Sequence, residues 1–427
     1  MKKLFSGLIA LMLIIACALP ALADSADYPP EDKTDNGGNA VPTMADTDWV
    51  DYDYESVDAA VFSEDAEALP ASLSADEIKA PYALLMEKET GTVIFEKEAD
   101  TKTEPASVTK VMTILLIVEA VESGTISLDD TVTCSATAAS MGGSQIFLEE
   151  GEQMTVQELL KSIIVSSAND ACVCMAEHLA GTESAFVEIM NQRARELGMN
   201  NTNFCNCTGL PGNEGHLTTA RDIAIMSREL IGHEMVKEYT TIWMDTVRNG
   251  EFGLSNTNKL IYYFTGATGL KTGFTASAKY CLSATALRDG VEYIAVVLKC
   301  DSSADRFESA KTMLSYAFAN YALLDAAPTE AIAPIPVKMG LNECVEVTPA
   351  DVGQVLVTKG QAKNAVMEVE LEEVLEAPVP EGMVVGHVTV KSGDHTLAVV
   401  PLVTASPVQR RTWWNVFCDL VSMALGT

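Results

Sequence analysis

Histidine is scarce, with five in 427 residues, and the chain contains neither an HExxH pair nor a Cys-x-x-Cys. The usual zinc-hydrolase patterns are therefore excluded. A Ser-His-Asp hydrolase would have to use one of these five, and none sits in a recognisable setting. His216 is the only one in a polar, Gly-flanked loop, which reads as a structural or substrate-lining position. Basic residues are also few: 28 Lys and Arg face 60 Asp and Glu, a formal net charge of −32. That deficit argues against nucleic acid, whose binding needs cations to displace counterions. It equally disfavours broad adhesion to anionic lipid, except through a local basic spot.

The rest of the composition is that of a folded protein. Hydrophobic residues make up 48% and charged residues 21%, which excludes wholesale disorder. At about 150 residues per domain the length predicts two or three domains. Residues 1–23 read as an export signal, with Lys2 and Lys3, an apolar run to Leu19, and Ala21-Leu22-Ala23 at the cleavage site. The run is short for a bilayer span of about 20 residues. Ile14-Ile15-Ala16-Cys17 loosely suits a lipoprotein site, but cleavage after Ala23 is the preferred reading. The mature chain then carries 26 basic and 60 acidic residues outside the cytoplasmic membrane.

Residues 24–75 hold fourteen Asp and Glu against Lys33 alone, a composition that predicts a disordered acidic leader. Order is predicted from about residue 76. Two β-rich runs, 82–87 and 92–96, flank Glu89-Thr90-Gly91 as a hairpin. Helical spacing predicts helices at 107–122, 155–165, 169–180, 183–197, 219–232 and 304–320, with strands at 279–286 and 292–299. Strands at both ends with helices between predict an α+β domain over 76–327, with one antiparallel sheet flanked by helices. Short alternating runs over 328–406, broken by Gly and Pro, predict a small all-β domain. In 407–427, Arg410 and Arg411 precede Trp413, Trp414, Val416, Phe417, Leu420 and Val421 at helical spacing. Such a helix is too short to cross a bilayer, and its Trp and Arg suit a membrane surface. The mature chain has nine cysteines, an odd number that precludes complete internal pairing, and most read as buried small hydrophobes.

With histidine unpromising, another base must activate any nucleophile. A serine hydroxyl is almost fully protonated at neutral pH. A lysine can take its proton if burial and neighbouring cations lower the amine's pKa. Ser and Lys at i and i+3 share a helix face, and a helix N-terminus adds free N–H groups for an oxyanion. Pro105-Ala106-Ser107-Val108-Thr109-Lys110 is the one Ser-x-x-Lys in the chain. Ser167-Ala168-Asn169 follows about sixty residues on, and Lys271-Thr272-Gly273 about one hundred further, just before the strand at 279–286. In this order the three are the signature of penicillin-recognising serine enzymes. Lys391-Ser392-Gly393 has similar chemistry but reads as a hairpin turn in the β domain.

On these motifs the chain resembles the low-molecular-mass penicillin-binding proteins, the serine-type D-alanyl-D-alanine carboxypeptidases, over roughly residues 80–425. Thr90-Gly91 after Ala83–Met86, His216–Asp222, and Gly269–Gly273 add to the likeness. The resemblance implies a β-lactamase/transpeptidase-like fold and hydrolysis of a peptidoglycan stem peptide at its last D-alanine, with β-lactams acylating the same serine. It implies no cofactor and no metal, an exported enzyme at the outer face of the cytoplasmic membrane, and a C-terminal helix on the membrane surface. It further implies Ser107 as nucleophile, Lys110 as its base, and Ser167 with Lys271 as the relay to the leaving amine. Asn169 would hold the substrate amide and Lys110, and the N–H groups of Ser107 and Phe274 would receive the oxyanion. Arg306, assisted by Thr272, would hold the terminal carboxylate, and Gly273 would keep the strand open. Ala168, Phe274 and Thr218 stand where the family often has Gly, His and Ser. Two other readings share the pocket: a β-lactamase, and a non-catalytic wall-binding or β-lactam-sensing protein.

Overall fold

The computed structural model describes residues 72–212, 214–326, 331–350 and 353–425. The expected signal (1–23) and all but the last few residues of the expected leader lie outside the described residues. A central sheet contains β1 (Tyr82–Glu87), β2 (Val93–Lys97), β3 (Ala267–Thr275), β4 (Lys279–Arg288) and β5 (Val291–Cys300). Their spatial order is β2-β1-β5-β4-β3, with every neighbour antiparallel. Ala83, Leu85, Tyr293, Ala295 and Val297 bury themselves on one face, and Leu84, Met86, Ile294, Val296 and Leu298 on the other. Helices cover both faces, so β1 and β5 read as unbroken apolar runs rather than as alternation.

On one face lie α1 (Lys110–Glu122), α2 (Val156–Val165), α3 (Asn169–Ala180), α4 (Glu183–Glu196) and α5 (Ala220–Leu230). Every residue of α1 from Lys110 to Val118 is buried, as expected of a helix apolar on all sides. A capping box between Thr155 and Glu158 starts α2, and Thr182 and Thr219 cap α4 and α5. The opposite face carries α6 (Ser303–Asn320), capped by Ser302 and anchored through Phe307, Ala310, Met313 and Leu314.

The predicted helices and strands fall within a few residues of these bounds, with two differences. Lys271-Thr272-Gly273 lies on an edge strand as expected, but that strand, β3, has bounds of its own that no sequence period marked. Gly269 and Gly273 dilute its β-pattern, and pairing to β4 overrides their weak strand preference. Helix Glu234–Thr240 and the hairpin of Met244–Val247 with Phe252–Ser255 had no clear period in the sequence.

After α6, strand Tyr321–Asp325 pairs with Gln354–Thr358 and leads into the expected β domain. Its largest sheet joins Val347–Pro349, His395–Thr404, Val384–Ser392 and Ala365–Leu371 around Val388, Val390 and Leu402. Ser392 pairs with His395 across a hairpin turn at Gly393 (φ 58°), so of Lys391-Ser392-Gly393 only the glycine is in the turn and the other two end the strand before it. The last helix, α7 (Trp413–Leu425), exposes Trp413, Trp414, Phe417 and Val421. No described helix is long and apolar enough to cross a membrane.

Phe307 pins α6 to the sheet at 1% exposure, next to Arg306. Replacing Phe307 with Ala is expected to cost about 3–5 kcal/mol. At about 2–4 °C per kcal/mol for a domain of this size, calorimetry should read a Tm lower by about 6 °C or more.

Candidate active site

The chain enters α1 through a 3-10 turn, Ala106–Thr109, rather than directly. Side chains at i and i+3 eclipse in such a turn, which brings Ser107 and Lys110 into line. Ala106 holds a left-handed φ of 48°, strain of the kind that concentrates at functional sites. Lys110 is fully buried, and its Nζ lies 3.0 Å from Ser107 Oγ, 2.6 Å from Asn169 Oδ1 and 2.8 Å from the Thr208 carbonyl oxygen. Asn169 Oδ1 and the Thr208 carbonyl can only accept. A neutral amine has two hydrogens for these two acceptors, and its lone pair is left facing the serine hydroxyl. Burial lowers the Lys110 pKa, against a smaller opposing effect of nearby acidic groups.

Lys271 comes from β3 into the same dry space at 1% exposure. Burial first, and then the facing Lys110 amine, hold its pKa well below the usual lysine range. Two ammonium ions so placed repel each other, which disfavours the charged form of Lys271.

The second motif stands at the start of α3. Ser167, nearly buried, takes a φ of 62°, and Asn169 begins the helix. Asn169 Nδ2 donates to the Gly142 carbonyl at 2.7 Å, and its backbone N–H donates to Ser144 O at 2.7 Å. The adjacent Asp170 is buried and accepts from the N–H groups of Ile146, Leu148 and Ala171. This carboxylate ties the 142–148 loop to α3 and so fixes the side chain that holds Lys110.

Two glycines allow the elements to close on one another. A Cβ on Gly209 (φ 83°) would lie 1.8 Å from the Ala106 carbonyl oxygen. A Cβ on Gly273 would lie 2.8 Å from Pro105 O and 3.0 Å from the Ser107 amide nitrogen. The third motif thus lies directly against the nucleophile turn, with Phe274 next along the strand. Thr272 Oγ1 meets Thr257 Oγ1 at 2.6 Å. Buried Arg306 donates to the carbonyls of Gly273 and Cys281 at 3.3 Å each and lies over the rings of Phe307 and Tyr280. Ser107, Lys110, Asn169, Lys271, Gly273 and Arg306 therefore share one locality, although they come from four segments far apart in sequence.

His216 has another task. Its Nδ1 accepts the Cys205 N–H at 3.0 Å, so Nε2 carries the proton and donates to Thr109 Oγ1 at 2.8 Å. Burial pulls its pKa down to about 4, leaving a neutral ring that braces the nucleophile turn. Glu119, Glu229 and His233 also converge, but Arg193 donates to both carboxylates and His233 Nδ1 faces Glu122. That group is an ion-pair network. Cys134, Cys172, Cys174, Cys207, Cys281 and Cys300 are buried free thiols, and burial pushes Cys172 up to about 12. Sequence reasoning missed Thr208, Gly209 and Gly142; Thr-Gly-Leu-Pro at 208–211 signals a turn but not what it touches.

The constellation gathers the groups of an acyl-transfer serine enzyme, with a lysine rather than a histidine beside the serine. The family profile for D-alanyl-D-alanine carboxypeptidases matches residues 70–302, and that for the penicillin-binding protein 5 C-terminal domain matches 328–410. The chain is 40% identical over 340 residues to D-alanyl-D-alanine carboxypeptidase DacF of Bacillus subtilis, covering 78% of this chain and 86% of that one. It is 31% identical to DacC of Escherichia coli, covering 85% and 92%. The crystal structure of penicillin-binding protein 5 from Haemophilus influenzae superposes with a TM-score of 0.72 at 28% identity, covering 79% of this chain and all of that one. The chain belongs to the D-alanyl-D-alanine carboxypeptidase family, among the low-molecular-mass penicillin-binding proteins.

The depressed Lys110 pKa has a kinetic consequence. For a lysine base at position 110 the neutral amine is the reactive form, so penicillin acylation should rise with pH and level off below the ordinary lysine value of about 10.4. Labelling rates measured across a pH series check this. A rate that keeps climbing to the ordinary lysine pKa would contradict a base whose pKa burial has lowered.

Proposed function

We propose that the protein removes the terminal D-alanine from peptidoglycan stem peptides through an acyl-enzyme on Ser107. The observation that carries this reading is the Lys110 amine, dry and pinned by Asn169 and Thr208 with Ser107 Oγ in reach. Ser107 Oγ attacks the carbonyl between the two D-alanines while Lys110 takes its proton. The oxyanion is received by the N–H groups of Ser107 and Phe274. Collapse breaks the C–N bond, and the departing amine gains a proton through Ser167, with Lys271 alongside. Free D-alanine leaves, water attacks the ester, and Ser107 is regenerated. Asn169 holds the stem's amide as well as Lys110. Arg306 and Thr272 hold the terminal carboxylate, while Gly273 leaves the strand edge open to the peptide.

A β-lactam undergoes the same acylation. Its leaving amine stays tethered to the acyl group and obstructs water, which gives a lasting adduct. The β-lactamase and non-catalytic readings lack support of this kind. Replacing Ser107 with Ala should abolish both D-alanine release and the penicillin adduct in intact-protein mass spectrometry; survival of either would assign the nucleophile elsewhere.

The domain division follows the same proposal: signal 1–23, acidic leader 24–75, catalytic domain 76–327, β domain 328–406 and anchoring helix 407–427. A substrate in the wall places the enzyme outside the cytoplasm. The exposed rings of Trp413, Trp414 and Phe417 behind Arg410 and Arg411 support a helix lying in the membrane interface. Deleting residues 408–427 should move the protein from the membrane fraction to the soluble fraction without changing soluble carboxypeptidase activity. Unchanged partition would place the anchor elsewhere.

A further inference from the structure

The active-site cleft has an end to which no role has yet been given. Gly273 lies against Pro105 and the Ser107 amide, so β3 and the nucleophile turn run side by side from there. One residue before Pro105, half-buried Glu104 accepts a hydrogen bond from Ser277 Oγ, in the turn that follows β3. That turn is itself fixed, because Thr275 Oγ1 accepts the Ala278 N–H at 2.9 Å. Glu104 is thus tied at both ends, by proline on its own chain and by serine in the turn after β3. Among the described residues no cation forms an ion pair with it.

The direction in which substrate lies decides what Glu104 meets. This step rests on the carboxypeptidase reading above. With the terminal carboxylate at Thr272 and Arg306, and the scissile carbonyl at the Phe274 N–H, the upstream chain must run towards Thr275 and Ser277. An extended peptide rises about 3.3 Å per residue. The residue before the penultimate D-alanine therefore sits about one strand step past Phe274, beside the Ser277 turn. In a stem peptide that residue is a diamino acid. Its side chain carries a primary ammonium on a flexible stem several carbons long, enough to span from the strand to a neighbouring carboxylate.

We infer that Glu104 is a specificity-determining residue, whose carboxylate pairs with the side-chain ammonium of the stem's diamino acid. Ser277 orients one carboxylate oxygen and leaves the other for the ligand. The pair is partly solvated, so it discriminates between stems more than it drives binding. It selects stems whose side-chain amine is free over stems whose amine is amidated by a crosslink.

The test compares two synthetic peptides ending in L-Lys-D-Ala-D-Ala, one with the side-chain amine free and one with it acetylated. The readout is the ratio of their kcat/KM values for D-alanine release. The intact protein should favour the free amine by about threefold to tenfold, and added salt should reduce that preference. Glu104→Gln should bring the ratio to about one, and Glu104→Lys should take it below one. Glu104→Asp should restore part of the preference. Ser277→Ala, an exposed change, should lower the ratio without altering charge. A ratio of one in the intact protein overturns the proposal, as does an unchanged ratio in Glu104→Gln. Release from neither peptide by the intact protein would overturn the carboxypeptidase reading as well, whereas equal release from both overturns this proposal alone.

Discussion

The structure depends on keeping one amine dry. In the proposed reaction Lys110 contributes nothing as a base while it is charged, and burial is what lowers its pKa. Four segments supply the enclosure: the turn at 105–110, the start of α3, the 207–209 loop and β3. Each is braced by a further contact. Asp170 holds the 142–148 loop, His216 holds Thr109, and Arg306 holds the carbonyl of Gly273. The base is therefore set by an arrangement of backbone and neutral side chains rather than by a charged partner.

Such an arrangement opposes folding locally. Lys110, Lys271 and Arg306 are all buried, and Ala106 and Ser167 are held at left-handed φ. Each is unfavourable taken alone. The surrounding core offsets them, because the sheet buries apolar side chains on both faces and α1 is buried along its first nine residues. Placing the reactive groups at the starts of α1 and α3 and on a sheet edge gives them rigid supports and an open side for substrate.

The chemistry is also defined by what is silenced. The His216 ring is neutral and engaged at both nitrogens. The buried thiols around the site are pushed away from the thiolate form. That leaves Ser107 and the two buried lysines as the groups on which the proposed chemistry rests.

Much of this was legible in residue order. Ser107 and Lys110 are three apart, and helical spacing alone puts them on one face; apolar periodicity marked α1 to α6 because local patterning and tertiary packing agree there. The sequence by itself determined the reacting groups, the helices that carry them and the change of texture near residue 328, since these depend on neighbours within one or two turns. Only the tertiary structure decided that Thr208 and Gly209 close over Lys110 and that Glu104 meets Ser277. Those contacts join residues from 98 to 173 positions apart, and no periodicity in a linear chain encodes a distance of that kind.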